Sequence, residues 1–284
     1  MANRVYNPTS AGRRNSSVQD FSDLTASKPE KSLSFRIKKH GGRNCTGVHT
    51  VRFRGGGARL IYRLIDFKRD KFDIPAKVAS IEYDPNRNCR IALLNYADGE
   101  KRYILCPEGI KVGEMLLSGD RVEPKPGNAM PIRNIPAGLE IHCVELHRGR
   151  GAQFIRAAGR AAVLSAKEGK DATIIMPSGE TRHVSLDCMA TIGKLGNGDY
   201  QNIRWGKAGR TRYRGRKPHN RGTSQNPVDH PLGGGEGRSG GGRHPCSPTG
   251  VLAKGGRTRK PRNPTSRNII RRRRSRRYGE VKLR

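Results

Sequence analysis

The sequence predicts an all-β body built from two small barrels and carried between two cationic arms. Three observations lead there: charge is segregated to the ends of the chain, apolar residues are concentrated in its middle, and that middle reads as short β-type runs separated by turn signals. Of 284 residues, 57 are Lys or Arg and 24 are Asp or Glu, a net charge of +33. Residues 1–60 carry a net +9, residues 61–200 only +3, and residues 201–284 carry +21. Between 61 and 200, 61 of 140 residues are apolar, an ordinary value for a globular domain. The last 84 residues contain only 15 apolar side chains, with 15 Gly and 7 Pro. Such a tail cannot bury enough apolar surface to offset its ordering entropy, so it is expected to order only against a partner.

The elements of the body follow in order. Residues 60–67 (LIYRLIDF), 76–84 (AKVASIEYD), 90–96 (RIALLNY) and 101–105 (KRYIL) are short runs rich in β-branched and aromatic residues, the composition that suits strands. Asp98-Gly99 separates the last two and marks a hairpin, because glycine tolerates the positive φ that tight hairpins demand. Residues 115–122 supply a fifth strand. A break follows at 123–138, where four of 16 residues are proline. A second series then runs through 139–146 (LEIHCVEL), 161–167, 172–176, 181–186 and 191–195, with a turn at 177–180 (PSGE). The parse is a basic N-terminal extension over 1–60, one barrel over 61–125, a second over 126–200, and a Gly/Arg-rich tail over 201–284.

Composition narrows the function. No apolar run is long enough for a transmembrane helix, and no basic amphipathic helix suggests a membrane surface. The first residues, MANRVYNPTSAGRRN, lack the apolar segment of a secretory signal. Six cysteines at 45, 89, 106, 143, 188 and 246, with no CxxC, read as reduced thiols of a cytoplasmic protein. An excess of 33 positive charges calls for a polyanion, and nucleic acid is the first candidate.

The motifs point the same way. Residues 226–250 (NPVDHPLGGGEGRSGGGRHPCSPTG) contain a formal GxGxxG at 235–240. A dinucleotide fingerprint needs a strand before it and a helix after it, and neither context is present. Glycines here instead suit close approach of bare backbone to phosphate or ribose, with Arg238 and Arg243 as charge-assisted clamps. Asp229, His230 and nearby serines do not make a triad, since an extended tail cannot hold three groups in register. His40, Cys45 and His49 lack a fourth convergent ligand for zinc. Asp66/Asp70 and Glu82/Asp84 lie among Lys68, Arg69 and Lys77, so surface ion pairing explains them better than acid–base catalysis. Residues 203–217 (IRWGKAGRTRYRGRK) interleave cations with Trp205 and Tyr213, a composition suited to folded RNA. The run 271–277 (RRRRSRR) is a polycationic block of low specificity.

These stretches carry a resemblance. TSAGRRN and KPEKSL near the start, RGGGARLIYRLIDFKRDK (54–71), IPAKVASIEYDPNR (74–87), YADGEKRYIL (96–105), PGNAMPIRNIPAG (126–138), MPSGE (176–180), GKAGR (206–210), NPVDHPLGGGEGR (226–238) and GGRHP (241–245) run nearly end to end. In them the chain resembles the large-subunit ribosomal protein L-two family, in its bacterial form. The N-terminal match speaks against an organellar transit peptide. The resemblance implies an oligonucleotide-binding barrel followed by an SH3-like barrel, with both arms threaded into large-subunit rRNA. It also implies a primary rRNA binder needed for subunit association through small-subunit rRNA at an intersubunit bridge, for tRNA binding, and for the peptidyl-transferase region, beside neighbouring ribosomal proteins. His230 matches the family's histidine near that centre, where peptide-bond chemistry is ascribed to rRNA. The chain departs from the family's usual motifs at Gln225 (Met), Leu232 (His), Thr249 (Trp), Tyr213 (Trp) and Asn220 (Val).

The expectation is a structural, non-catalytic protein of the cytoplasmic ribosome. The residues expected to meet rRNA are Trp205, Lys207, Arg210, Arg212, Tyr213, Arg214 and Arg221. The Gly-rich loop adds Gly233, Gly234, Gly235, Arg238, Arg243 and His244. No resident cofactor or protein-bound metal is expected; magnesium would accompany the rRNA. The competing classes are an acyl-transfer enzyme using His230 and a general nucleic-acid packaging protein.

Overall fold

The structure, a computed structural model, describes residues 3–254, 259–260 and 262–274. Residues 275–277 of the polycationic block lie outside the described residues. Seventeen short strands are present among them. In the N-terminal part these are β1 (Arg4–Val5), β2 (Ser17–Val18), β3 (Ser34–Arg36), β4 (Ile61–Arg63), β5 (Ala76–Tyr83), β6 (Arg90–Tyr96), β7 (Lys101–Leu105) and β8 (Met115–Leu116). There follow β9 (Ala129–Pro131), β10 (Glu140–His142), β11 (Val144–Glu145), β12 (Ala152–Phe154), β13 (Ala162–Glu168), β14 (Asp171–Ile175), β15 (Thr181–Ser185), β16 (Met189–Ile192) and β17 (Ile269–Arg271). The one α-helix among the described residues, α1, spans Ala208–Tyr213. The chain forms two compact units. One comprises Met1–Lys38, Arg59–Lys207 and Thr265–Arg284; the other comprises Lys39–Ala58 and Ala208–Pro264.

Both β-modules lie in the first unit. The first is an antiparallel sheet in the order β7-β6-β5-β8. Its central strand, β6, is a nearly continuous apolar run, and such a run signals burial on both faces. Ala92, Leu94 and Tyr96 point into one core with Val78, Ile104 and Leu116. The alternate residues Ile91 and Leu93 join Ile65, Tyr103 and Leu105, and there Ala158 and Leu195 of the second module complete the cluster. The two modules therefore share a dry seam. At the Asp98-Gly99 turn, Gly99 has φ +86° and its N–H donates to Tyr96 O at 3.0 Å, closing the expected hairpin.

The second module is a seven-stranded antiparallel sheet, β17-β15-β14-β13-β10-β16-β9, around Met130, Ile132, Ile135, Ile141, Leu164, Ile174 and Ile192. Here the structure departs from the sequence reading. The proline-rich stretch 123–138 is not simply a break: it contains β9 and a 3-10 turn at Ile132–Asn134, and it buries Met130, Ile132 and Ile135. Pro131 is tolerated because β9 is an edge strand, where the missing N–H deprives no neighbour. Residues 139–146 are not one strand. Cys143 takes φ +48°, and the chain switches partners there, from β13 and β16 on one side to β12 on the other. The last strand sits at Met189–Ile192 instead of 191–195. Of residues 60–67 only Ile61–Arg63 pairs with β3, and of 115–122 only Met115–Leu116 is strand.

Several buried polar groups hold the N-terminal segment and the loops. Arg90, only 2% exposed, donates to Asp23, to Gln19 Oε1 at 2.9 Å and to Asp20 O at 2.6 Å, and its guanidinium lies 5.0 Å from the Phe21 ring. Tyr103 Oη donates to Glu82 Oε2 at 2.8 Å and accepts from Glu30 N–H at 2.8 Å. The buried Glu145 carboxylate accepts backbone N–H groups from Gly149, Gly151 and Met189.

Candidate nucleic-acid interface

Many acidic residues of the first unit pair with its own cations. Asp66 and Asp70 both bind Arg102, which also takes Glu100; Lys71 pairs with Asp98 and Glu100. The hydrogen bond from Arg102 holds the Asp70 carboxyl below its usual range, and that from Lys71 does the same for Asp98. Glu82 and Asp84 differ from expectation, since neither is a surface ion pair. Both are buried. Glu82 meets Tyr103 and Ser80, while Asp84 receives Arg87 Nε and Asn86 N–H at 2.8 Å each. Asp84-Pro85-Asn86-Arg87 is therefore a self-capped turn.

The second unit is different in kind. It contains 17 Lys or Arg against 2 Asp or Glu. Among the described residues no ion pair engages Asp229 or Glu236. Nor does the unit bury any hydrophobic side chain; its one buried residue among those described is His230, 6% exposed. Backbone hydrogen bonds hold it together. A segment of the N-terminal arm runs beside the tail: Gly55 N–H donates to Gly215 O at 2.9 Å, Ala58 N–H to Tyr213 O at 2.8 Å, and Lys217 N–H to Phe53 O at 3.0 Å. The Phe53 and His219 rings meet edge to face at 4.3 Å. Pairing of the arm with the tail had no sequence signal.

His230 sits in a turn tied by hydrogen bonds from Asp229 N–H and His230 N–H to Asn226 O, and from Gly234 N–H to Gln225 O. The Leu232 N–H donates to His230 Nδ1 at 3.1 Å, so Nδ1 is unprotonated and the ring proton is on Nε2. The imidazole lies against Gly222, where a Cβ would come within 2.3 Å of the ring. A Cβ on Gly233 would stand 2.4 Å from Asn226 O. Internal packing thus accounts for glycine at 222 and 233 before any ligand is considered. Gly237, Gly240 and Gly242, in contrast, have open space at the Cβ position. Among the described residues the His230 ring has no carboxylate partner, so no Asp229–His230 relay is assembled.

Trp205 and Lys207 belong to the first unit; Trp205 is half-buried, bridges to Ser16, and sits edge-on to Tyr200 with ring centroids 6.4 Å apart. Arg210, Arg212 and Tyr213 lie on α1, where Tyr213 is 63% exposed, and Arg214 follows it. Arg221, Arg238, Arg243 and His244 are exposed; Gly233 and Gly234 are half-buried and Gly235 is exposed. Among the described residues no three His, Cys, Asp or Glu side chains converge as a metal site, and no helix is long and apolar enough to cross a membrane.

Comparison with known proteins decides the family. Residues 30–118 match the family described as "Ribosomal Proteins L2, RNA binding N-terminal domain", and residues 125–250 match "Ribosomal Proteins L2, C-terminal domain". The chain is 54% identical over 284 residues to the large ribosomal subunit protein uL2 of Rhodopirellula baltica, covering 100% of this chain and 99% of that protein. The chain belongs to the ribosomal protein L2 family. Its fold is accordingly the all-β fold of that family: the β7-β6-β5-β8 sheet is the oligonucleotide-binding-type module and the seven-stranded sheet the SH3-like one. The L2 C-terminal match extends past the second barrel through the His230 turn and the Gly-rich loop. The β1–β2 hairpin and its contact with residues 204–205, where Ser17 N–H donates to Arg204 O at 2.8 Å, had no sequence signal, since the hairpin is built from two-residue strands.

Proposed function

We propose that this chain is a structural constituent of the bacterial-type large ribosomal subunit, acting as a primary rRNA-binding protein in the cytoplasm. The observation that carries this is the second unit, with 17 cations against 2 acids and no buried hydrophobic side chain among its described residues. A unit of that composition repels itself unless a polyanion threads it, and rRNA supplies the neutralising phosphates. The first unit, with its buried apolar clusters and with many of its acids paired to its own cations, serves as the folded anchor. In this reading Arg210, Arg212, Arg214, Arg221, Arg238 and Arg243 contact phosphates, while Tyr213 and His244 offer planes for stacking. The His230 turn stands near the peptidyl-transferase region as a shaped element, its imidazole held by Leu232 N–H and Gly222. It supports the architecture of that region, indirect positioning of tRNA, and subunit association through small-subunit rRNA and neighbouring proteins. Peptide-bond chemistry stays with the rRNA.

The test is reconstitution of large subunits with and without the protein. Particles lacking it are expected to associate poorly with small subunits and to transfer peptide slowly. A His230→Ala protein should restore association. Full association and peptidyl transfer without the protein would refute the reading.

A further inference from the structure

Strands β3 and β4 pair as a two-stranded ribbon of the first unit. Phe35 and Tyr62 are opposed in its register, and their rings meet at 5.3 Å with planes tilted by 52°. Behind Tyr62 the contact continues. The Arg87 guanidinium lies 5.4 Å from the Tyr62 ring and 5.5 Å from the Phe67 ring, and the Arg156 guanidinium lies 4.7 Å from Phe67. Rings and guanidinium groups thus alternate from Tyr62 to Arg156, each spacing within cation–π range. The row is pinned in its middle, where Arg87 Nε donates to Asp84 Oδ2 at 2.8 Å and the Asp84 side chain is fully buried. Its outer end is open. Phe35 is 50% exposed and belongs to none of the buried apolar clusters, and Ile37 and Leu64, which follow the two strands, are exposed as well. A lone exposed apolar side chain is ordinary; a ring held by such a row beside two further exposed apolar residues marks a contact surface. The charge of the ribbon is of one sign. Residues 34–38 and 59–64 contain no acid, and Arg36, Lys38 and Arg59 are exposed and pair with no carboxylate among the described residues.

We propose that the open face of Phe35 receives an unpaired base of large-subunit rRNA, stacked on the ring, with the flanking phosphates met by Arg36, Lys38 and Arg59. The charge selects this occupant. An apolar protein surface would have to desolvate three unpaired cations, whereas RNA brings phosphates together with the base. Every base has a π-face, so the contact tolerates any base at that position. The alternating row restrains the ring before RNA arrives, which leaves less ordering cost to binding. The assignment rests on the rRNA-binding reading and gives the first unit a base contact of its own, where that reading has only an anchor.

The experiment measures binding of the full chain to purified large-subunit rRNA over a series of salt concentrations. Phe35→Ala is expected to lose roughly tenfold in affinity with the log–log salt slope unchanged, because a stacked base is lost and no phosphate contact goes with it. Phe35→Leu keeps apolar bulk but no plane and should lose nearly as much. Phe35→Trp should retain affinity, and the emission of its added indole, taken as the difference from the unaltered chain, should be quenched by the rRNA. That quenching is read on a chain that keeps an aromatic ring at 35, so it holds even where the alanine variant disturbs the ribbon. Full affinity in Phe35→Leu would show that bulk suffices and would overturn the proposal. Full affinity in Phe35→Ala would leave the face to a protein partner and overturn it too, as would indole emission untouched by rRNA. Absence of rRNA binding by the unaltered chain would instead overturn the rRNA-binding reading on which it rests.

Discussion

His142 provides a direct measure of how dry the body is when no RNA is present. The side chain is 1% exposed, and its Nδ1 donates to Gly193 O at 2.8 Å. Burial pulls its pKa down from 6.5 to about 4, with the Gly193 carbonyl opposing that shift. The unfolded chain therefore takes a proton as pH falls below 6.5, while the folded chain stays neutral until about pH 4. Stability must decline as pH falls through that window, at roughly 1.4 kcal/mol per pH unit. Between pH 6.5 and 5 the loss is about 2 kcal/mol, which at a urea m-value of about 2 kcal/mol per molar lowers the unfolding midpoint by about 1 M. Working at pH 5 and above avoids the ion-paired carboxylates, whose depressed pKa values place their titration lower. The assay is urea unfolding of the full chain, followed by circular dichroism, in wild type and in His142→Gln. The variant should start less stable at pH 7.5 but lose little between pH 6.5 and 5. Parallel pH profiles for the two proteins would show that His142 does not carry this pH dependence.

Other perturbations separate the core from the interface. Leu94 is fully buried in the first barrel, so Leu94→Ala should cost 2–5 kcal/mol, roughly, in urea unfolding. Arg238→Ala should weaken binding to purified large-subunit rRNA and make the salt slope shallower by about 1, with no change in the unfolding midpoint of the body. Gly233→Ala forces a Cβ to 2.4 Å from Asn226 O; rRNA affinity should fall while the thermal transition of the first unit stays in place, both read on the same sample.

Legibility in the sequence tracked the range of the interactions. The strands of the two hairpin series could be read because their partners are adjacent in the chain and their alternation is local. Strand β6 was the clearest case, its unbroken apolar run matching burial on both faces. What escaped was set by distant partners. Strand β9 pairs with β16 some sixty residues later, and three residues ending in proline carry no periodic signal. Strand β17 rests on Ile269, buried at 7% exposure beside a run of arginines, and it was hidden by the charge around it. The switch at Cys143 depends on one positive φ that no residue type announces. At the interface, the His230 turn stood out by composition, but its glycines turned out to serve internal packing as well. The joining of residues 53–58 to 213–217 uses mainly backbone hydrogen bonds between segments far apart in the chain, which leave little trace in side-chain identity.

We claim that this chain is an integral component of the large ribosomal subunit, which sedimentation of native lysate through a high-salt gradient checks. The protein, followed by antibody against the rRNA absorbance profile, is expected to remain with the large-subunit peak after the salt wash. Protein released to the top of the gradient, or travelling with duplex DNA, would contradict that claim and favour a general nucleic-acid packaging role.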